Sequence, residues 1–270
     1  MAEHICFFDL DGTLYSHASD SIPSSTLRSL SLLQKNGIPI VLATGRHFAE
    51  LGQLEPSSSI PFDAWIMLTG AYITDANKHC IASQEIGEQN MVVLTDWLNS
   101  HGYSYIVVEE EVNYMNSHSA LAKQVQDSIH TALFPVMDVS RIHSHPVYQL
   151  TVFAPWSVAE ELMRLVPGVC ASQWHSNAFD MSSAKAGKGD GLRKVCDYFQ
   201  VPVSQSFAFG DNNNDLDMLK AAGTGIAMGN GSDEAKQAAD YVTDDIDADG
   251  IYHALLHFGL IREDEQGCVQ

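Results

Sequence analysis

The stretch Ile5-Cys6-Phe7-Phe8-Asp9-Leu10-Asp11-Gly12-Thr13-Leu14 runs four apolar residues straight into two carboxylates and a glycine. A short continuous apolar run, aromatic and β-branched and closed by a turn signal, reads as a central parallel strand covered on both faces. Asp9 and Asp11 then stand at its carboxyl end, the edge of an open α/β sheet where ligands bind. Two acids within three residues need a counter-charge to coexist. Hard oxygen donors with room for water suit Mg²⁺. Read alone, Asp9 to Thr13 is equally an ordinary turn, because Asp and Gly dominate turns. Later strand ends have to supply the partners of a phosphate and a metal.

Working outward, Pro23-Ser24-Ser25 starts a helix with Leu27, Leu30 and Leu33 at helical spacing, and Asn36-Gly37 stops it. The next apolar run, Ile38 to Ala43, ends in Thr44-Gly45-Arg46. A right-handed βαβ connection makes it the parallel neighbour of the first strand, so Thr44 reaches the same edge as Asp9. A hydroxyl followed by glycine offers a phosphate one side-chain donor and one unshielded backbone N–H. A helix N-cap explains the same residues. Ala64 to Leu68 forms a third strand before Thr69-Gly70-Ala71, and a hairpin follows around Asp75-Ala76-Asn77-Lys78.

The same alternation returns late in the chain. Gly187-Lys188-Gly189 opens a helix whose apolar face is Leu192, Val195, Cys196 and Phe199. Lys188 thus lies at a helix N-terminus, where charge and dipole both favour an anion; an exposed lysine on a glycine-rich linker is the plain alternative. Ser206 to Phe209 is a strand that runs into Gly210-Asp211-Asn212-Asn213-Asn214-Asp215. Asp215 also fits the N-cap of the helix that follows. A strand over 225–228, a helix over 235–239, a strand over 241–243 and a helix over 250–258 complete the pattern, and the polar tail from Arg262 is expected to fray.

Residues 84–183 differ, with short helices alternating with strands. Met91, Leu94 and Leu98 mark one helix, 103–108 a strand, 118–133 a helix through Leu121, Val125 and Ile129, 147–154 a strand and 158–165 a helix. The expectation is an α+β domain at 84–183, inserted into a catalytic core made of 1–83 and 184–270. Its only Lys or Arg residues are Lys123, Arg141 and Arg164 against eleven Asp or Glu, a net charge of −8. Such a segment is badly equipped to hold a second phosphate. His143 and His145 alternate onto one strand face, a weak metal signal without a third ligand. Tyr148, Trp174 and His175 are further candidates for substrate contact.

Composition narrows the class. With 270 residues, 45% of them hydrophobic, the chain buries a full core, and its net charge of −20 argues against nucleic acid as a partner. No apolar run approaches the length needed to span a bilayer. The first strand begins at residue 5, so no signal or transit peptide is expected, and the location expected is cytoplasmic. Cys6, Cys80, Cys170, Cys196 and Cys268 are scattered and odd in number, which fits reduced thiols.

In this order, Asp-x-Asp-Gly-Thr, Thr-Gly-Arg, Lys-Gly and Gly-Asp-x-x-Asn-Asp resemble the motifs of the haloacid dehalogenase (HAD) superfamily of phosphotransferases. Ala227-Met228-Gly229-Asn230 and Asp249-Gly250 look like its Cof-type subfamily IIB, whose cap is inserted after the second motif. The resemblance implies an α/β fold, a Rossmann-like parallel-sheet core with an inserted α+β cap that sets substrate specificity. It implies that Asp9 attacks phosphorus to form an aspartyl-phosphate, while Asp11 protonates the leaving oxygen and later deprotonates water. Mg²⁺ would be held by Asp9, the Asp11 backbone carbonyl and Asp211, with Asp215 orienting a bound water. Thr44, Gly45, Lys188, Asn214 and the Leu10 N–H would hold the phosphoryl oxygens.

The activity implied is Mg²⁺-dependent hydrolysis of small phosphorylated metabolites, sugar phosphates foremost, by a monomer or small homo-oligomer without nucleic-acid or membrane partners. A sugar phosphomutase with a related cap is the nearest alternative, but it must retain a bisphosphate, which the cation-poor cap disfavours. A non-enzymatic phospho-acceptor module also places Asp at strand ends; such modules are shorter and lack an inserted cap. Two departures from the family stand out: Thr69-Gly70-Ala71 where members often carry Asn-Gly-Ala, and Asn230-Gly231 where they carry Asn-Ala.

Overall fold

The computed structural model describes residues 2–51, 60–129 and 131–262; Cys268 and the tail expected to fray beyond Arg262 lie outside them. The chain forms two compact units, 1–82 with 187–270, and 83–186. It begins with β1 (Ile5–Phe8), α1 (Ser24–Lys35), β2 (Ile40–Ala43), α2 (Phe48–Leu51), β3 (Ala64–Met67), β4 (Tyr72–Asp75) and β5 (Cys80–Ser83). The second unit follows as α3 (Glu88–Ser100), β6 (Tyr105–Val108), β7 (Asn113–Met115), α4 (Ala120–Ser128), β8 (Gln149–Val152), α5 (Trp156–Leu165), β9 (Val169–His175) and β10 (Ala178–Ser183). The first unit resumes with α6 (Lys188–Phe199), β11 (Ser206–Gly210), α7 (Leu216–Ala221), β12 (Thr224–Ala227), α8 (Asp233–Ala238), β13 (Tyr241–Val242) and α9 (Gly250–His257).

The first unit is built on an eight-stranded sheet in the order β13-β12-β11-β1-β2-β3-β4-β5. Pairing is parallel from β13 through β3, and β4 runs antiparallel to β3. All four residues of β1 are fully buried, as a strand covered on both faces requires. On one face Ile5, Phe7, Val41 and Ile66 pack with Leu192, Val195 and Cys196 of α6. On the other, the rings of Phe8 and Phe209 stack at 4.8 Å. Phe8 pairs with both Leu42 and Phe209, so β1, β2 and β11 end level with one another. That common edge carries the acids.

In the second unit a five-stranded antiparallel sheet, β7-β6-β8-β10-β9, shares one core with α3 and α5. Three of its strands are absent from the sequence reading. β7 has only three residues, and β9 is an edge strand whose middle lies exposed, so neither shows a clean alternation. β10 pairs with β9 through a register shift at Ala178/Phe179, which breaks the period of two.

Two expectations for this unit need correction. The helix expected over 118–133 stops at Ser128: the Ile129 and Thr131 N–H groups both donate to the Gln126 carbonyl, closing the last turn, and Ile129 is 44% exposed. His143 and His145 do not share a strand face. Asp138 caps a 3₁₀ turn, Val139–His143, by accepting from the Ser140 N–H, and His143 pairs with Glu88 at 2.8 Å. Among the described residues, no helix is long and apolar enough to cross a membrane.

Candidate active site

Asp9 follows β1 directly, its N–H donating to the Phe209 carbonyl at 3.0 Å, which anchors it beside β11. Its side chain is buried, and Oδ1 accepts from Lys188 Nζ at 2.5 Å. Lys188 is the first residue of α6 and has no exposure at all; its ammonium also donates to Asp215 Oδ1 at 2.6 Å. Asp215 accepts the N–H groups of Asp211 and Asn212 on Oδ2, forming a capping box that turns the chain after β11. Asp211 accepts from the Thr13 hydroxyl at 3.0 Å. One lysine therefore ties the strand-end acids of β1 and β11 together.

Asp9, Asp211 and Asp215 each present a carboxylate oxygen within 4.8 Å of the others, and among the described residues theirs is the single cluster with that geometry. Oδ2 of Asp9 and of Asp211 accepts no hydrogen bond from the described residues. Hard, partly unengaged oxygens around one point are the donor set that Mg²⁺ takes. Gly12 keeps the space beside them open: its φ of +87° favours glycine, and a Cβ there would lie 2.4 Å from Asp211 Oδ2.

The electrostatics point the same way. Burial, then the Asp215 carboxylate, push Asp9 well above the usual carboxylate range, with Lys188 opposing. Burial and Asp215 likewise raise Asp211 to about 6, against the Thr13 hydrogen bond. Burial alone would lower Lys188, but its two short carboxylate contacts reverse this and hold it above its ordinary value. Lys188 is therefore charged, and three acids with a single ammonium remain short of positive charge. A divalent cation would supply it.

Asp11 lies elsewhere. It belongs to a tight turn in which the Leu10 carbonyl accepts from Leu14 and Tyr15, and its carboxylate takes a fork from Arg46: Nε to Oδ2 at 2.8 Å and Nη2 to Oδ1 at 2.7 Å. His17 Nε2 stands 3.1 Å from Oδ1. Asn230 steadies this turn by donating to the Gly12 carbonyl at 2.7 Å.

Thr44 is buried where β2 ends, its hydroxyl accepting from the Arg46 N–H at 3.1 Å. Asn214 sits half-buried in the 3₁₀ turn before α7. The backbone N–H groups of Leu10 and Gly45 donate to no acceptor among the described residues, as a site for an anion requires. Beyond β3, Leu68, Thr69 and Gly70 all take positive φ, and Gly70 passes so close to Gly187 that a Cβ would overlap its backbone. The Thr69 N–H donates to the Thr44 carbonyl, tying this turn to the phosphate-site candidates.

Sequence reasoning assigned no role to Thr13, His17 or Arg46. Thr13 and Arg46 belong to the quoted motifs, which is the one signal that was available for them.

A family model for haloacid dehalogenase-like hydrolases matches residues 6–255, and the chain belongs to that family. A phosphatase of the HAD enzyme superfamily from Bacteroides thetaiotaomicron is 31% identical, with a TM-score of 0.87 and 96% of both chains covered. A sugar phosphatase of HAD subclass IIB is 30% identical, with a TM-score of 0.83 over 96% of this chain and all of its own. The phosphatase YwpJ of Bacillus subtilis is 28% identical, covering 92% of this chain and 97% of its own. With fold, family and relatives in agreement, the chain is a HAD-type phosphatase.

Proposed function

We propose that this enzyme is a cytoplasmic Mg²⁺-dependent hydrolase of phosphate monoesters, sugar phosphates foremost, working through an aspartyl-phosphate on Asp9. The observation that carries the reading is the buried Asp9–Lys188–Asp215 bridge with Asp211 beside it. Asp9, Asp211, Asp215 and the Asp11 carbonyl would hold Mg²⁺, which when bound supplies Lewis-acid neutralisation of the phosphoryl oxygens.

Asp9 attacks phosphorus while the bond from phosphorus to the leaving alcohol breaks, and Asp11 gives that alcohol oxygen its proton. Asp11 then takes a proton from water as the water oxygen attacks phosphorus and the bond to Asp9 breaks. Lys188, Thr44, Asn214 and the Leu10 and Gly45 N–H groups stabilise the charge spread over the phosphoryl oxygens, the main task in phosphoryl transfer. The unit 83–186 selects the substrate. Between residues 84 and 183 the Lys and Arg side chains each have a protein partner: Lys123 with Asp127, Arg141 with Glu109, Arg164 with the Glu160 carbonyl. That occupancy favours a monophosphate over the bisphosphate a mutase must retain.

The test is a panel of phosphorylated sugars, nucleotides and cofactors, with and without Mg²⁺. The expected result is release of inorganic phosphate that needs Mg²⁺ and no bisphosphate activator. Dependence on a bisphosphate would make the protein a mutase, and a stable phospho-Asp9 without turnover would make it an acceptor module.

A further inference from the structure

Asp11 has a partner set that the reaction scheme does not use. Its two oxygens receive the Nε and Nη2 of Arg46 as a planar fork, at 2.8 and 2.7 Å. A fork of this kind fixes the plane and rotamer of a carboxylate, which a single contact from lysine would not. The base of the Arg46 side chain is itself fixed, since its N–H donates to Thr44 Oγ1 and its carbonyl accepts from the Leu68 N–H. The fork thus runs from the end of β2 to the carboxylate beyond β1.

The two oxygens are not equivalent. Oδ1 faces both Arg46 and His17, whereas Oδ2 meets the Arg46 Nε alone among the described residues. A carboxylate oxygen has two lone pairs. Oδ2 keeps one for a proton.

We propose that Arg46 is the positioning residue for the acid/base group, holding Asp11 so that Oδ2 carries the proton to and from the reacting oxygens. The inference rests on the reading of Asp11 as proton donor and acceptor. It adds that this work depends on the guanidinium that forks onto Asp11, while the nucleophile takes its own hydrogen bond from Lys188.

Leaving-group dependence separates this role from the two simpler ones, a solvent-exposed ion pair and a direct clamp on substrate. A p-nitrophenolate departs without being protonated, whereas a sugar alkoxide needs the acid. The constant kcat/KM reports only the steps through release of the alcohol or phenol. Wild type, Arg46→Gln, Arg46→Lys, Asp11→Asn and the Arg46→Gln/Asp11→Asn double variant are compared with Mg²⁺ on p-nitrophenyl phosphate and on the sugar phosphate turned over fastest.

For Arg46→Gln, kcat/KM on the sugar phosphate is expected to fall about 10²-fold, at least tenfold more than on p-nitrophenyl phosphate. Arg46→Lys, which keeps the charge but not the fork, should show the same split. The double variant should be no slower on the sugar phosphate than Asp11→Asn alone. Thermal midpoints of all variants report whether each one folds.

Equal losses on both esters, with KM raised, would make Arg46 a substrate clamp and overturn the proposal; so would wild-type kinetics in Arg46→Gln. If Asp11→Asn itself shows no split, the acid/base reading fails and this inference with it. A split in Asp11→Asn without one in the Arg46 variants sinks the inference alone.

Discussion

Asp9 and Asp11 leave the same strand two residues apart and enter opposite surroundings. The Asp9 side chain is 6% exposed beside a fully buried Lys188, whereas the Asp11 and Arg46 side chains are each about one-third exposed. A buried pair is hardly screened, and it cannot exchange its partner for water without leaving an uncompensated charge. A pair open to water is screened, so it contributes orientation more than stability. The secluded acid suits a nucleophile that must meet phosphorus away from water; the acid oriented by a fork within reach of water suits a proton carrier.

The sharpest break of this comparison is at Asp9 itself. Asp9→Asn keeps the shape but replaces the carboxylate proposed to attack phosphorus, so turnover should fall about 10⁴-fold or more while the unfolding curve stays near wild type. Hydrolysis within tenfold of wild type would remove Asp9 from the centre of the chemistry.

Lys188→Met and Arg46→Met compare the two cations directly. The first strands two buried acids, Asp9 and Asp215, and should cost about 3–5 kcal/mol in urea unfolding; the second breaks a pair open to water and should cost about 1 kcal/mol or less. Similar costs for the two would erase the distinction between the regions.

Protons probe the same cluster. Without a divalent cation, Asp211 titrates near 6 in the folded protein against 3.8 for a free carboxyl. Between those values the unfolded chain has released the proton and the folded chain has kept it, so this group makes stability fall as pH rises. In EDTA, the urea midpoint of wild type relative to Asp211→Asn should therefore drop from pH 4 to pH 7, and Mg²⁺ should restore it. A difference that stays flat across that range would show that Asp211 is not short of positive charge.

The smallest effect is expected at Thr69, a β-branched residue held at φ 53°, ψ 39°. Asn tolerates that region far better, so Thr69→Asn should raise stability by about 1 kcal/mol, read as a higher thermal midpoint. An unchanged midpoint would mean that the turn carries no strain.

Much of the first unit was legible because its signals are local. Buried parallel strands are continuous apolar runs, and β1, β2, β3 and β11 fall within a residue or two of the runs that announce them. The second unit was less legible because β7, β9 and β10 are short, edge-exposed or shifted in register, and a period of two fades under each of these conditions. His143 and His145 show the cost of trusting alternation alone: the chain there forms a 3₁₀ turn capped by Asp138 in place of the expected strand.

The acids, the lysine and their places at strand or helix ends follow from the amino-acid sequence, since apolar runs and glycine turns are properties of adjacent residues. Which acid receives the lysine does not. Lys188 reaches Asp9 across 179 residues and Arg46 reaches Asp11 across 35. Those pairings exist only because the register of β1 with β2 and β11, and the packing of α6 on the sheet, bring separate ends of the chain to one edge. Non-local contacts of this kind are chosen by the packed core as a whole, and no run of neighbouring residues encodes them.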